Sequence, residues 1–373
     1  LILRGNPLGK CAVHFLFLPD SAFAKPTKIS PIDNKFTKTF FMQFRTEIPM
    51  KPAPKGILHG QNLVLIGSCF AQNIGLLLQQ YKFGAVLNPT GIVYNPFSVN
   101  QTLHWLLTHR LFTPEHLYHT GSRWVSFAHH GSFSHSDAAA CVTNINQHLQ
   151  AGRQALHTAQ YLFLTFGTAY VYRLNSTGMV SANCHKLPDA LFTRSLLTVS
   201  EITAELGATL HRVLKNNPQL QVVLTVSPIR HWKDGAVNNQ LSKATLILAA
   251  HELVKNLEGR VTYFPAYELM MDDLRDYRFY ADDMLHPSPV AIDYIWQKFK
   301  TVFFEPQTLQ LMAAIDKVNQ ARKHKPLFAN SPEYRDFARR QLQIIRQLQQ
   351  QRPYLHFEEE LKYFEQAAEG GSH

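Results

Sequence analysis

What this chain of 373 residues lacks narrows the possibilities first. It has four cysteines, Cys11, Cys69, Cys141 and Cys184, far apart and without a Cys-x-x-Cys pair. Neither a disulfide framework nor a zinc ribbon is suggested, and reduced thiols fit a cytoplasmic setting. No apolar run approaches the ~18 residues that a membrane-spanning helix needs. There is no Gly-x-x-x-x-Gly-Lys-Ser/Thr loop and no Gly-x-Gly-x-x-Gly after a strand, so no nucleotide cofactor is implied, and none of any other kind is expected. Charged residues are scarce at 17% beside 45% hydrophobic ones, a balance that excludes wholesale disorder and low complexity. At ~100–200 residues per domain, the length suits two domains or one large α/β domain with an appendage.

The formal net charge of +10 invites a nucleic-acid or anionic-surface reading. Its distribution argues against it: residues 1–41 supply +4 and the other 332 residues only +6, with no dense basic stripe. Residues 1–41 also lack an initiating Met. They hold a short apolar run from Ala12 to Leu18, broken by His14, and then Ala22-Phe23-Ala24-Lys25. That is a thin version of a signal peptide, which would leave export open. The competing reading, preferred here, is a functional chain beginning at Met42 behind a disordered leader or translated flanking sequence.

From Met42 onward, short runs of β-branched and aromatic residues alternate with longer amphipathic stretches, the βαβ signature of a parallel sheet covered on both faces. Strands are expected over 63–67, 84–87, 161–167, 222–227 and 261–265. Helices are expected over 70–81, 96–109, 137–159, 200–216, 239–257 and 288–304. The expected architecture is a flavodoxin-sized three-layer α/β/α fold of about five parallel strands. A β-hairpin over 169–174 and 179–185, turning at Asn175-Ser176-Thr177-Gly178, interrupts the rhythm where excursions often cover a site. Beyond 304 the composition shifts to Gln, Arg and Lys. Tyr334, Phe337, Ala338, Leu342, Ile345 and Leu348 fall on one helical face, so 305–373 is expected to be a helical extension with a frayed end.

Two segments stand out chemically. Gly67-Ser68-Cys69-Phe70 lies where the first strand gives way to the first helix, a corner where ligands bind in open α/β sheets. A serine there stands beside helix amides able to stabilise an oxyanion, although serine is also a favoured helix cap. Far away, Asp282-Asp283-Met284-Leu285-His286-Pro287-Ser288 precedes the last helix of the sheet domain. An Asp three residues before a His can accept the Nδ1 proton and leave Nε2 free to take a hydroxyl proton. The bland reading is a capping turn with a surface histidine. Cys69 is a rival nucleophile, but a small residue after the turn usually packs inward. His129, His130, His135 and Asp137 lack the helical spacing of zinc hydrolases and are read as ordinary histidines near a cleft, so no metal is expected.

The order and spacing of these parts resemble the SGNH (GDSL-like) hydrolases. Gly67-Ser68-Cys69-Phe70-Ala71 spells the name of the GSCFA family within that group. Similar to that family too are Asn88-Pro89-Thr90-Gly91-Ile92-Val93-Tyr94-Asn95-Pro96, Ala182-Asn183-Cys184-His185-Lys186 and Ser227-Pro228-Ile229-Arg230-His231. The resemblance spans about 44–304. It implies Ser68 as nucleophile, His286 as general base and Asp283 as its orienter. It further implies oxyanion donors at the serine's own amide, at a glycine amide after the second strand matched by Gly91, and at an asparagine after the third. At that third place the chain instead has Gly167-Thr168-Ala169-Tyr170, which leaves Asn95 and Asn183 as candidates for the missing donor and keeps Gly167 among the expected oxyanion or substrate-binding residues. Arg230 and His231, at the end of the fourth strand, and Asn183 and His185, on the hairpin, are expected at the substrate edge.

The resulting expectation is an ester hydrolase working through an acyl-enzyme on a small-molecule or carbohydrate ester, without nucleic acid or a membrane span. An acyltransferase using the same triad with a sugar or other alcohol acceptor, and a non-catalytic binding module, are the alternatives.

Overall fold

In the computed structural model, residues 45–369 are described apart from 258, 329 and 330. The expected leader over 1–41, Cys11 and the Gly-Gly-Ser-His end lie outside the described residues.

Five short segments build the central sheet: β1 (Leu63–Gly67), β2 (Ala85–Leu87), β5 (Tyr161–Phe166), β9 (Gln221–Val226) and β10 (Val261–Tyr263). Their order is β10-β9-β5-β1-β2, all parallel. Every residue of β1, β5 and β9 is buried, which is why these strands read as continuous apolar runs rather than alternating ones. Odd and even strand residues point to opposite layers. Val64, Ile66, Leu162 and Leu164 pack beneath α2 (Pro96–Thr108), α3 (Ala138–Thr158), α4 (Val199–Asn216) and α5 (Gly235–Asn256). Leu63, Leu65, Phe163 and Val223 pack against α1 (Cys69–Gln80) and α7 (Pro289–Phe303). This is the three-layer α/β/α arrangement.

Numbered by occurrence within the sheet, the strand order is that of the flavodoxin-like doubly wound fold. Its ligand crevice opens where the order reverses, at the carboxyl ends of β1 and β5. Gly67 closes β1 at that point with φ +145°, and a Cβ there would lie 2.2 Å from the Thr165 carbonyl oxygen. Only glycine lets the two strands stay this close just before Ser68.

Between β5 and α4 the hairpin strands β6 (Tyr170–Leu174) and β7 (Val180–Ser181) gain a third partner, β8 (Phe192–Leu196), in antiparallel order β7-β6-β8. A second small ribbon, β3 (Tyr118–His119) with β4 (Trp124–Val125), precedes α3. After β10 the chain makes a short α6 (Ala266–Glu268), continuing into a wider π turn over Leu269–Asp273. Helices α8 (Pro306–Lys323), α9 (Pro332–Gln351) and α10 (Glu358–Glu369) form a separate apolar cluster with Tyr334, Ala338, Leu342 and Ile345 inside. Lys82, in the turn after α1, meets buried Glu360 of α10 at 2.8 Å, and Arg322 of α8 reaches the same carboxylate at 3.4 Å.

A candidate active site at the strand ends

Ser68 is the N-cap of α1: its Oγ accepts from the Phe70 amide at 3.3 Å. The capping reading is therefore true, and the same residue also lines a cavity of about 500 Å³, a volume suited to a small ligand. His286 lines the same cavity. Its Nδ1 meets Asp283 Oδ2 at 2.5 Å, while Asp283 Oδ1 accepts the backbone amides of Leu285 and His286, each at 2.9 Å. These hydrogen bonds, the amides foremost, hold the Asp283 carboxyl down at about 2. They also hold Met284 in the left-handed region at φ +57°, a conformation that a long side chain rarely adopts. The turn is a fixed bracket around the imidazole, with Nδ1 engaged and Nε2 the remaining nitrogen.

Beside Ser68 stand two donors with no acceptor among the described residues. The Cys69 amide is the first of α1, where no intrahelical partner exists. Asn95 is the N-cap of α2; its Oδ1 accepts the Ser98 amide at 2.8 Å, which leaves the Nδ2 end unbonded on a residue that lines the cavity. The other expected donors are engaged elsewhere, and this corrects the sequence reading. The Ser68 amide donates to the Thr165 carbonyl at 3.3 Å as β1 pairs with β5. The Gly91 amide donates to Asn88 at 2.7 Å within a tight turn. Gly91 has φ +77°, and a Cβ there would strike His130. The Gly167 amide donates to the Tyr94 carbonyl at 2.7 Å. Gly167 matters through its size, because a Cβ would come within 2.9 Å of His231 Nε2.

His231 lines the cavity edge-on to Tyr94, and burial, with the Lys243 and His286 charges beside it, lowers its pKa to about 4. It is uncharged at neutral pH. Beneath it Lys243 is fully buried and donates to the Gly167 carbonyl at 2.7 Å and the Ser227 carbonyl at 2.8 Å. It ties the ends of β5 and β9 together. Burial, with the Arg230 charge next to it, pushes its ammonium down to about 7. The Cys69 thiol faces the Tyr94 hydroxyl at 3.6 Å, and burial raises that phenol's pKa.

The roof comes from the three-stranded insertion and the turn after β9. Tyr170 and Tyr172 sit two apart on β6 and so share a face. Arg194 lies 3.7 Å from the Tyr170 ring centre and 5.5 Å from that of Tyr172, which Lys233 also approaches at 5.5 Å. Arg230 lies over Trp232 at 5.0 Å. Tyr94, Tyr170, Tyr172, Arg194, Trp232 and Lys233 all line the cavity, and none of them was singled out from the sequence. The two-residue alternation of Tyr170 and Tyr172, and the run Arg230-His231-Trp232-Lys233, were the signals available.

Two family models match the chain: "GSCFA family" over residues 62–299 and "GSCFA domain protein, C-terminal domain" over residues 315–370. The chain belongs to the GSCFA family. Among curated proteins none matches it. Solved structures similar to it include a provisionally assigned platelet activating factor from Streptococcus pneumonia, at 14% identity and TM-score 0.32, covering 64% of this chain and 84% of that one. Another is an acetyl xylan esterase, Est2A, from the rumen bacterium Butyrivibrio proteoclasticus, at 12% identity and TM-score 0.33, covering 65% of each chain.

Every residue lining the cavity falls inside the GSCFA match. Ser68, Asn95, Asn183, Arg230, His231 and His286 come together there, and Asp283 abuts it through His286. His185 does not line it. With φ +51°, its ring turns away and Nε2 meets the Ser126 carbonyl at 2.8 Å. Asn183 lines the wall, with Oδ1 accepting the His185 amide at 2.8 Å. His129 is buried, with Nδ1 on Ser126 Oγ at 2.9 Å, and burial lowers its pKa to about 3. The Nδ1 atoms of His130 and His135 accept the amides of Ser132 and Asp137. Among the described residues, no three His, Cys, Asp or Glu side chains gather where they could hold a metal, and no helix is long and apolar enough to cross a membrane.

Proposed function

We propose that the protein hydrolyses a carboxylic ester through an acyl-enzyme on Ser68, in the manner of an SGNH-type hydrolase. The observation that carries this reading is the shared cavity. A capping serine after β1 and a bracketed Asp283–His286 pair, more than two hundred residues apart in sequence, open onto one space at the crevice of a doubly wound sheet.

His286 Nε2 takes the Ser68 proton as Oγ attacks the ester carbonyl. Asp283 fixes the tautomer and stabilises the imidazolium that forms. Charge developing on the carbonyl oxygen is received by the Cys69 amide and Asn95 Nδ2, two donors already oriented by the starts of α1 and α2. The alcohol departs with the proton held by His286, and water then releases the acid by the same route in reverse. Asn95 takes the part that the absent asparagine after β5 would otherwise play. The aromatic roof of Tyr170, Tyr172 and Trp232 suits the flat faces of a sugar ring, which favours an acylated carbohydrate as substrate.

Hydrolysis of short-chain p-nitrophenyl esters by the intact chain tests this reading. Turnover that disappears in Ser68→Ala is the expected result. No turnover, together with no covalent reaction with a fluorophosphonate, overturns it in favour of a non-catalytic binding module. Measuring free acid against acylated product, with and without sugar acceptors, separates a hydrolase from an acyltransferase.

A further inference from the structure

Among the described cavity-lining residues, Arg230 is the one with a fully buried side-chain nitrogen that makes no hydrogen bond. Its Nε is buried without a hydrogen-bond partner, and no carboxylate lies within ion-pair distance of its guanidinium among the described residues. Its neighbours include the face of Trp232, at 5.0 Å, the phenols of Tyr267 and Tyr280, and buried Lys243. The described cavity lining contains no Asp or Glu. The acids of the adjoining cavity are held elsewhere: Asp283 by His286, and Asp276 by Arg278 at 3.5 Å. That second cavity, of about 420 Å³, shares Arg230 and Trp232 with the first. The half-buried guanidinium thus stands at the junction of two spaces, a few residues beyond the end of β9, near buried Lys243 and, among the described residues, with no carboxylate within ion-pair distance. An N–H held in a buried position without an acceptor is costly, and a bound anion would supply that acceptor.

We propose that Arg230 is a specificity-determining residue that seats an anionic group, a carboxylate or phosphate, carried by the ester substrate. The proposal rests on the hydrolase reading above and names its substrate class: esters bearing a negative charge close to the scissile bond. The planar guanidinium offers paired donors that match such a group, and Trp232 beneath it holds the plane in place. The charge belongs either to the acyl part or to the alcohol part, according to which cavity takes which.

The test uses two matched pairs of esters, followed by pH-stat titration. Monoethyl succinate against ethyl butyrate places the charge on the acyl side. 4-Acetoxybenzoate against its methyl ester places it on the alcohol side. In at least one pair, the charged member is expected to have the higher kcat/KM. Arg230→Gln is expected to shrink that charged-to-neutral ratio by roughly tenfold to a hundredfold, the range for a hydrogen bond to a charged group, and Arg230→Lys to restore part of it. A merely structural arginine would lower both members of a pair equally and leave the ratio alone. Calorimetric titration of Ser68→Ala protein with monoethyl succinate and with 4-acetoxybenzoate, with and without Arg230→Gln, reads the same site without turnover. Loss of binding on removing Arg230 supports the proposal even if no ester is hydrolysed, an outcome that would sink the hydrolase reading alone. A ratio that favours the neutral ester in both pairs, or that Arg230→Gln leaves unchanged, overturns the proposal. So does anion binding that Arg230→Gln does not weaken.

Discussion

The floor and the roof of the cavity are built by different means. The floor is made of strand ends and helix starts: Ser68 and Asn95 are caps, Asp283 brackets His286, and Lys243 ties two strand-end carbonyls together. Each of these side chains has at least one atom fixed by the fold. The roof is made of rings and cations on an added sheet and a turn, with Arg194, Arg230 and Lys233 laid over Tyr170, Trp232 and Tyr172. Such contacts are broad and less directional, and stacking of this kind contributes about 0.5–2 kcal/mol. On the proposed hydrolase reading this is a division of labour, in which rigid hydrogen bonding would set the reaction and adaptable surfaces would set what reaches it.

Floor variants should therefore act on kcat and roof variants on KM, and the contrast can be broken from either side. His286→Ala is expected to lower kcat by roughly 10⁴-fold or more, as removing the base of a triad does; steady-state kinetics beside a thermal melt of the same protein checks that the loss is chemical. Asn95→Asp keeps the acceptor for the Ser98 amide but replaces the donor end by an anion. Stability should hold while kcat falls by roughly 10²–10³-fold, the cost of one oxyanion donor. If the melting temperature falls and kcat does not, Asn95 is a cap and nothing more. On the roof, Tyr170→Ala is expected to raise KM roughly two- to tenfold with little change in kcat, the pattern of uniform binding.

Much of the fold was legible because of how it is buried. Stretches such as Leu63–Gly67 and Tyr161–Phe166 are apolar throughout since helices cover both their faces, and that pattern is local. The Asp283–His286 pair was legible for the same reason, being three residues apart. β8 carries no clear strand signal in the sequence because its middle residues Thr193 and Arg194 are exposed. The donor role expected of Gly91 failed on something sequence does not display: a turn in which its amide already serves Asn88. The roof residues come from β6, β8 and the turn after β9, and only the tertiary fold brings them over Ser68.

The smallest expected effect separates the two histidines of the site. His231 is half-buried and His286 is half exposed. The imidazole of His231, lowered to about 4 when folded, regains its ordinary pKa near 6.5 on unfolding. The unfolded chain thus binds the extra proton between those values, and stability drops as the pH falls from 6.5 toward 4. His129, lowered to about 3, acts in the same direction and extends the window downward. Melting curves across this range should show a decline of roughly a few degrees from His231, and His231→Gln should flatten that part of the profile. An equally steep profile in the variant would place the acid sensitivity elsewhere.

The central claim is that a hydroxyl at the end of β1 and an imidazole from the turn before α7 act on one substrate. Mass spectrometry of the intact chain treated with a fluorophosphonate, followed by peptide mapping, addresses it directly. A single adduct on Ser68 that disappears in folded His286→Ala protein is the expected result. An adduct on Cys69, labelling that survives loss of His286, or no adduct at all would contradict it.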